Sequence, residues 1–166
     1  MRDTRAAATA DCASAGPAYI DTSALAKWYL PEPGSEEVEE FIGSRAPVGI
    51  SLLTKVEMYS LVARRCRQGD LDAEAKGKVL ATFEGDIVAG HLQLVPHTVE
   101  AFLAAGTLLG AHPEIALTTL DALHLATMVA CGLVILATAD IVMAQTAEKM
   151  GIACVMFPNR SPEGAD

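Results

Sequence analysis

Residues 120–140, LDALHLATMVACGLVILATAD, carry the reading that decides the fold. The core of this stretch, Ala126 to Ala139, is strongly apolar. It is too short to cross a bilayer, which takes about 20 apolar residues in a helix. Gly132 divides it, so the sequence predicts a helix from about Thr118 to Cys131, a turn, and a buried strand over Leu133 to Ala137. Asp140 then opens another helix to Met150, Gly151 caps it, and Ile152 to Met156 makes a last strand. A chain that alternates in this way builds a parallel sheet with helical crossovers.

The same alternation runs outward to the beginning of the chain. Ala18 to Ile20 is expected as a first strand, with Thr22 or Ser23 capping a helix through Leu30 that Pro31 and Pro33 stop. Ser35, Val38, Phe41 and Ile42 mark a short helix ending near Gly43, and Val48 to Ser51 reads as a strand. Thr54 is expected to start a long helix with Val56, Tyr59, Leu61, Val62 and Cys66 on its apolar positions, ending near Gly69. A helix from about Asp72 to Gly90, a strand over Leu92 to Val95 and a helix capped by Thr98 complete the series. The expected fold class is α/β, a parallel-sheet three-layer α/β/α sandwich. A single domain is expected over 18–158, after a disordered leader or misassigned start at 1–17 and before a frayed tail at 159–166.

Composition bounds the function. An apolar content of 51% excludes general disorder for the 166-residue chain and exceeds what a core alone requires, which points to a partner or dimer surface. A net charge of -9 excludes a protein that holds nucleic acid simply by being basic. Cys12, Cys66, Cys131 and Cys154 are far apart in sequence, so they read as reduced thiols of a cytoplasmic protein, three of them in the core. No His or Cys cluster has zinc-ligand spacing. No segment has the length and apolarity of a membrane span, so no membrane partner is expected.

Asp21, Glu57, Asp121 and Asp140 each stand where an apolar run gives way to a helix, three at strand-to-helix junctions and one at a helix start. In a parallel sheet those points collect at the carboxyl edge, where ligands bind. Two unit charges 4 Å apart repel by roughly 4 kcal/mol at an effective dielectric of 20. A cluster of carboxylates is therefore expected to hold a divalent cation, and all-oxygen ligation favours Mg²⁺ or Mn²⁺. Each acid also has a plainer reading. Thr54-Lys55-Val56-Glu57 has the form of a capping box, Thr118 to Asp121 has a similar form, and Asp21 and Asp140 suit N-caps. Of the four, Glu57 is most easily explained this way.

The contexts Ile20-Asp21-Thr22-Ser23, Leu53-Thr54-Lys55-Val56-Glu57, Leu120-Asp121-Ala122-Leu123-His124 and Ala137-Thr138-Ala139-Asp140, in this order, resemble those of PIN-domain ribonucleases, most of all the VapC-type toxins of toxin–antitoxin pairs. The resemblance spans about 18–158 and implies a metal-dependent endoribonuclease with Asp21, Glu57, Asp121 and Asp140 as its acidic cluster. It also implies a cognate antitoxin and a homodimer, and it puts Thr138 where the family has a hydroxyl near the acids. Asp21 and Asp121 are the expected primary ligands, with Glu57 and Asp140 acting directly or through water. Thr22 and Ser23 are expected to cap the first helix or hold a metal-bound water. The leader is the one departure, since such toxins start almost directly on the first strand.

Lys27, Lys55, Arg64, Arg65 and Arg67 are candidate RNA-phosphate contacts, with a solvated helix end as the plainer reading of the arginines. His124, one turn after Asp121, reads as a packed core residue before it reads as a catalytic one. Other expectations for the chain are a PIN-like nuclease without a toxin role, an idle metal- or partner-binding module, and a phosphoryl-transfer or receiver domain using Asp21. For a haloacid-type phosphatase, Ser23 stands where a second Asp is wanted.

Overall fold

The computed structural model describes residues 16–157. The expected tail lies outside this range, as does the expected leader apart from Gly16 and Pro17. Strands β1 (Ala18–Ile20), β2 (Val48–Ser51), β3 (Leu92–Val95), β4 (Ile135–Thr138) and β5 (Ala153–Met156) alternate with helices. The helices are α1 (Thr22–Tyr29), α2 (Ser35–Arg45), α3 (Leu52–Gln68), α4 (Ala73–Ala89), α5 (Val99–Ala111), α6 (Thr119–Ala130) and α7 (Ile141–Lys149). The strand order is β3-β2-β1-β4-β5 and every pair is parallel. This is the expected α/β architecture.

The pleat sorts the core into two faces. Ala18 and Ile20 join Val48, Ile50, Ile135 and Ala137 on the face covered by residues of α1 to α4. Tyr19 and Leu136 point the other way, into a cluster with Leu125 and Met128 of α6 and Met143 and Ala147 of α7. Alanines on α5 and α6, among them Ala101, Ala105, Ala122 and Ala126, let these two helices pack closely. The stretch that decides the fold behaves as expected at Gly132, whose φ of 70° turns the chain from α6 toward β4.

Several boundaries move, for local reasons. Asp21, not Thr22 or Ser23, caps α1. The second helix runs past Gly43 to Arg45, because Gly43 is exposed and costs the helix only propensity. Helix α3 starts at Leu52, where Ser51 and Thr54 form the capping box, so Thr54 lies inside the helix. Val56 and Tyr59, expected on its apolar face, are 67% and 44% exposed, while Thr54, Met58 and Val62 face the core. Cys66, Cys131 and Cys154 are free thiols at half-buried positions, not core residues.

Candidate active site

The sheet order reverses between β1 and β4. Strands β2 and β3 are laid down on one side of β1 and β4 and β5 on the other, which leaves a crevice at the carboxyl ends of the central pair. Asp21 follows β1, and its backbone N–H donates to the carbonyl of Ala137 at 3.0 Å, locking it to β4. Its carboxylate is 3% exposed. Oδ1 accepts from the Ala24 N–H at 3.0 Å, the Ser23 hydroxyl lies 2.9 and 2.8 Å from Oδ1 and Oδ2, and Thr138 Oγ1 donates to Oδ2 at 3.0 Å. Burial raises the Asp21 carboxyl above the usual carboxylate range, against the lowering effect of these hydrogen bonds and of nearby His124.

Thr138 and Ser23 stitch the two strand ends together. Thr138 Oγ1 accepts from the Asp140 N–H at 3.0 Å while donating to Asp21, and Ser23 Oγ accepts from the Ala139 N–H at 2.9 Å. Asp140 caps α7, its Oδ1 accepting from the Met143 N–H at 2.9 Å. Asp121 is the third residue of α6 and closes a capping box with Thr118, its Oδ2 accepting from the Thr118 N–H at 3.1 Å and hydroxyl at 2.6 Å. Three of the four acids therefore do serve as helix caps.

Glu57 is the exception, and the capping box expected from its sequence context is corrected. With Ser51 as the cap, Glu57 falls in the second turn of α3, too far along to reach the orphan N–H groups. Its Oε2 instead accepts from the Thr22 hydroxyl and from His124 Nε2, the latter at 2.8 Å. Burial alone would raise its carboxyl, but the bonds from His124 and Thr22 and the nearness of the imidazole outweigh it and hold Glu57 below the usual range. His124 is 2% exposed, and its Nδ1 lies 2.6 Å from the Tyr19 hydroxyl.

One cleft of about 320 Å³ joins these groups, lined by Asp21, Thr22, Ser23, Glu57, Ser60, Leu61, Arg64, Leu120, Asp121, His124 and Asp140. All four expected acids are thus brought together, with both expected hydroxyls of α1. They do not form a ready-made cage. Among the described residues no three of the His, Cys, Asp and Glu side chains stand in common reach of one ion. The donor set is nonetheless all oxygen, and capping occupies only Oδ2 of Asp121 and Oδ1 of Asp140. The second oxygen of each carboxylate is left for a cation, so the residues fit a hard divalent ion.

Of the expected phosphate contacts only Arg64 lines the cleft. Lys27 is 1% exposed, with Nζ donating to the Pro33 carbonyl at 2.8 Å, so the proposed phosphate contact is corrected to a buried structural ammonium. Lys55 pairs with Glu84 at 2.8 Å and Arg65 with Glu32 and Asp70, away from the acids. Arg67 is exposed near the end of α3 and does not line the cleft. Sequence reasoning missed Tyr19, Ser60 and Leu61. Tyr19 shares Asp21's side of the pleat by alternation, the one signal that pointed to it.

The PIN domain family model matches residues 18–149. Among solved structures, VapC20 of Mycobacterium tuberculosis, a sarcin-ricin loop cleaving toxin, is 19% identical with a TM-score of 0.61, covering 76% of this chain and 92% of its own. FitAcB from Neisseria gonorrhoeae is 20% identical with a TM-score of 0.63, covering 82% and 94%. DNA-bound VapBC from Salmonella typhimurium is 18% identical with a TM-score of 0.60, covering 86% and 99%. No curated protein matches the chain in sequence. The structural likenesses establish a shared fold. With the family model spanning β1 to β4, all seven helices and all four acids, the chain belongs to the PIN domain family.

Proposed function

We propose that the chain is a metal-dependent endoribonuclease and the toxin of a toxin–antitoxin pair. The observation that carries this reading is the convergence of Asp21, Glu57, Asp121 and Asp140 on one cleft at the reversal of the sheet order. The toxin role is supported by structural neighbours that are themselves toxin–antitoxin proteins, one of them described as cleaving the sarcin-ricin loop.

Asp21 and Asp121 would hold Mg²⁺ or Mn²⁺, with Glu57 and Asp140 ligating directly or through water. When bound, such an ion supplies the positive charge that makes water acidic enough to attack at neutral pH and that neutralises the phosphate. The protein's own groups do the rest. Asp21 presents a carboxylate fixed from three sides, which lowers the entropy lost on ligation. Glu57, held ionised by Thr22 and His124, orients the attacking water or accepts its proton. Arg64, on the cleft wall, contacts a substrate phosphate. The partner expected to inhibit the site is an antitoxin that presents an Arg or Lys side chain to the acids.

Purified protein incubated with structured RNA and Mn²⁺ tests the proposal. Cleavage is expected from the wild type, and a loss of at least about 100-fold from Asp21→Asn. Equal cleavage by the two proteins refutes the site. A second reading, an idle partner-binding module, draws support from the capping bonds of Asp121 and Asp140. Calorimetry separates the two, because an idle module shows no Mn²⁺ binding that Asp121→Asn abolishes.

A further inference from the structure

His124 is the one imidazole that lines the cleft, and it is almost wholly buried. The nuclease reading assigns it no ligand role, and a packed histidine needs no particular partner. Yet it is bonded at both ring nitrogens, to Tyr19 at 2.6 Å and to Glu57 at 2.8 Å. Tyr19 is itself 0% exposed, and burial, the largest influence on it, drives its hydroxyl strongly toward the protonated form. A tyrosine that keeps its proton donates it across this 2.6 Å contact to His124 Nδ1, while the Glu57 carboxylate at the other nitrogen can only accept. That leaves Nδ1 as an acceptor and fixes the ring proton on Nε2, where it is donated to Glu57 Oε2.

We infer that His124 is the positioning residue of Glu57, and that Tyr19 sets the tautomer which lets it act. The chain of bonds runs from Tyr19 of β1 through His124 of α6 to Glu57 of α3. Each link is buried or half-buried, so none is loosened by exchange with bulk water. The Thr22 hydroxyl holds the same Oε2, so both bonds pin one oxygen of the carboxylate and leave Oε1 as the one for a ligand or the attacking water. Removing the His124 bond leaves the Thr22 hydroxyl as the remaining tether of Oε2, so the carboxylate can swing about that one bond and loses its fixed direction while keeping its charge. This inference rests on the nuclease reading for its consequence in catalysis, but not for the tautomer.

Long-range ¹⁵N–¹H spectra of imidazole-labelled, metal-free protein test the tautomer. The expected result is a protonated, exchange-protected Nε2 and an unprotonated Nδ1, with mixed tautomers in Tyr19→Phe. A protonated Nδ1 with bare Nε2 in the wild type overturns the inference. Two substitutions at His124 then separate positioning from packing. His124→Gln retains an N–H donor near the place of Nε2, and His124→Phe retains a ring but no donor. Loss of a bond that orients a ligand typically costs 10–100-fold in metal affinity or activity, so His124→Phe is expected to weaken Mn²⁺ binding and kcat by about 10-fold or more. His124→Gln is expected to recover most of that loss, with KM for RNA little changed in either. A merely packed histidine gives the reverse order, with Phe better than Gln, and overturns the inference. Should His124→Phe not fold, Tyr19→Phe replaces it, and unchanged Mn²⁺ affinity there counts against the proposal. If the wild type neither binds Mn²⁺ nor cuts RNA, the nuclease reading fails, while the tautomer result stands or falls by itself.

Discussion

Asp21 shows what burial does to a carboxylate. Its hydrogen bonds offset only part of the lost hydration, so the native protein holds its proton more tightly than the unfolded chain does. The sign follows. The unfavourable term is fully present above the raised native pKa and is relieved as the pH falls through it. Glu57 has the opposite shift, and its contribution is lost only at lower pH, as the medium falls through its depressed native pKa. Metal-free protein is therefore expected to resist urea better as the pH falls from neutral through the raised Asp21 pKa. Asp21→Asn should be the more stable of the two at neutral pH, with the gap closing on acidification. A gap that stays constant with pH would show that the Asp21 charge carries no such penalty. Thr138 makes a second residue-scale case. It donates to Asp21 and accepts from the Asp140 N–H, so Thr138→Val leaves a half-buried amide without its partner and should cost about 1–3 kcal/mol in a denaturation series. Thr138→Ser should cost much less, because it keeps the hydroxyl.

The helix N-termini of α1, α3, α6 and α7 decide which acids are free for chemistry. Asp21, Asp121 and Asp140 each double as caps, so a cation would share each carboxylate with a backbone N–H. Glu57 carries no such second duty, because Ser51 and Thr54 cap α3 without it. Ser51→Ala is expected to destabilise the protein by about 1 kcal/mol, the usual value of an N-cap, as measured by urea midpoint. Thr118→Ala should do something different in kind, loosening the Asp121 carboxylate as well as weakening α6. Helix α3 is also tied at its start by His97, whose Nε2 accepts from the Leu53 N–H at 3.2 Å and whose Nδ1 lies 2.8 Å from the Thr127 hydroxyl. The helices that carry Glu57 and His124 are thereby held in register with each other.

At the scale of the molecule, an acidic chain of net charge -9 would have to bind the proposed RNA substrate through local neutralisation. Arg64 provides one positive charge at the cleft, and a bound divalent ion would provide more. Among the described residues no helix is long and apolar enough to cross a membrane. The apolar surplus instead surfaces on the helices. Val99, Phe102 and Leu103 of α5, spaced for one face, are 71%, 55% and 68% exposed. If the homodimer that the family resemblance implies uses this face, the 17.4 kDa chain should sediment as a dimer and Leu103→Asp should sediment as a monomer with unchanged RNA cleavage. A Leu103→Asp protein that remains dimeric would place the interface elsewhere.

The sequence by itself determined the alternation of strands and helices, because apolar runs bounded by Gly, Pro and capping residues report local burial and local geometry. It also determined that Asp21, Glu57 and Asp140 end up at one sheet edge, since strand direction in a parallel sheet puts every strand-to-helix junction on the same side. Asp121, at a helix start that follows α5, reaches that edge through packing. Only the tertiary structure decided which acid is free and which is a cap. Ser51 outcompeted Thr54 as the cap of α3, and that shift of three residues moved Glu57 from a helix end into the cleft. Lys27 beside Asp21 looked like a phosphate contact and proved to be buried against Pro33. The bonds from Tyr19 through His124 to Glu57 join residues 105 and 67 positions apart. No pattern of local spacing reports such contacts, because they depend on how β1, α3 and α6 pack against one another.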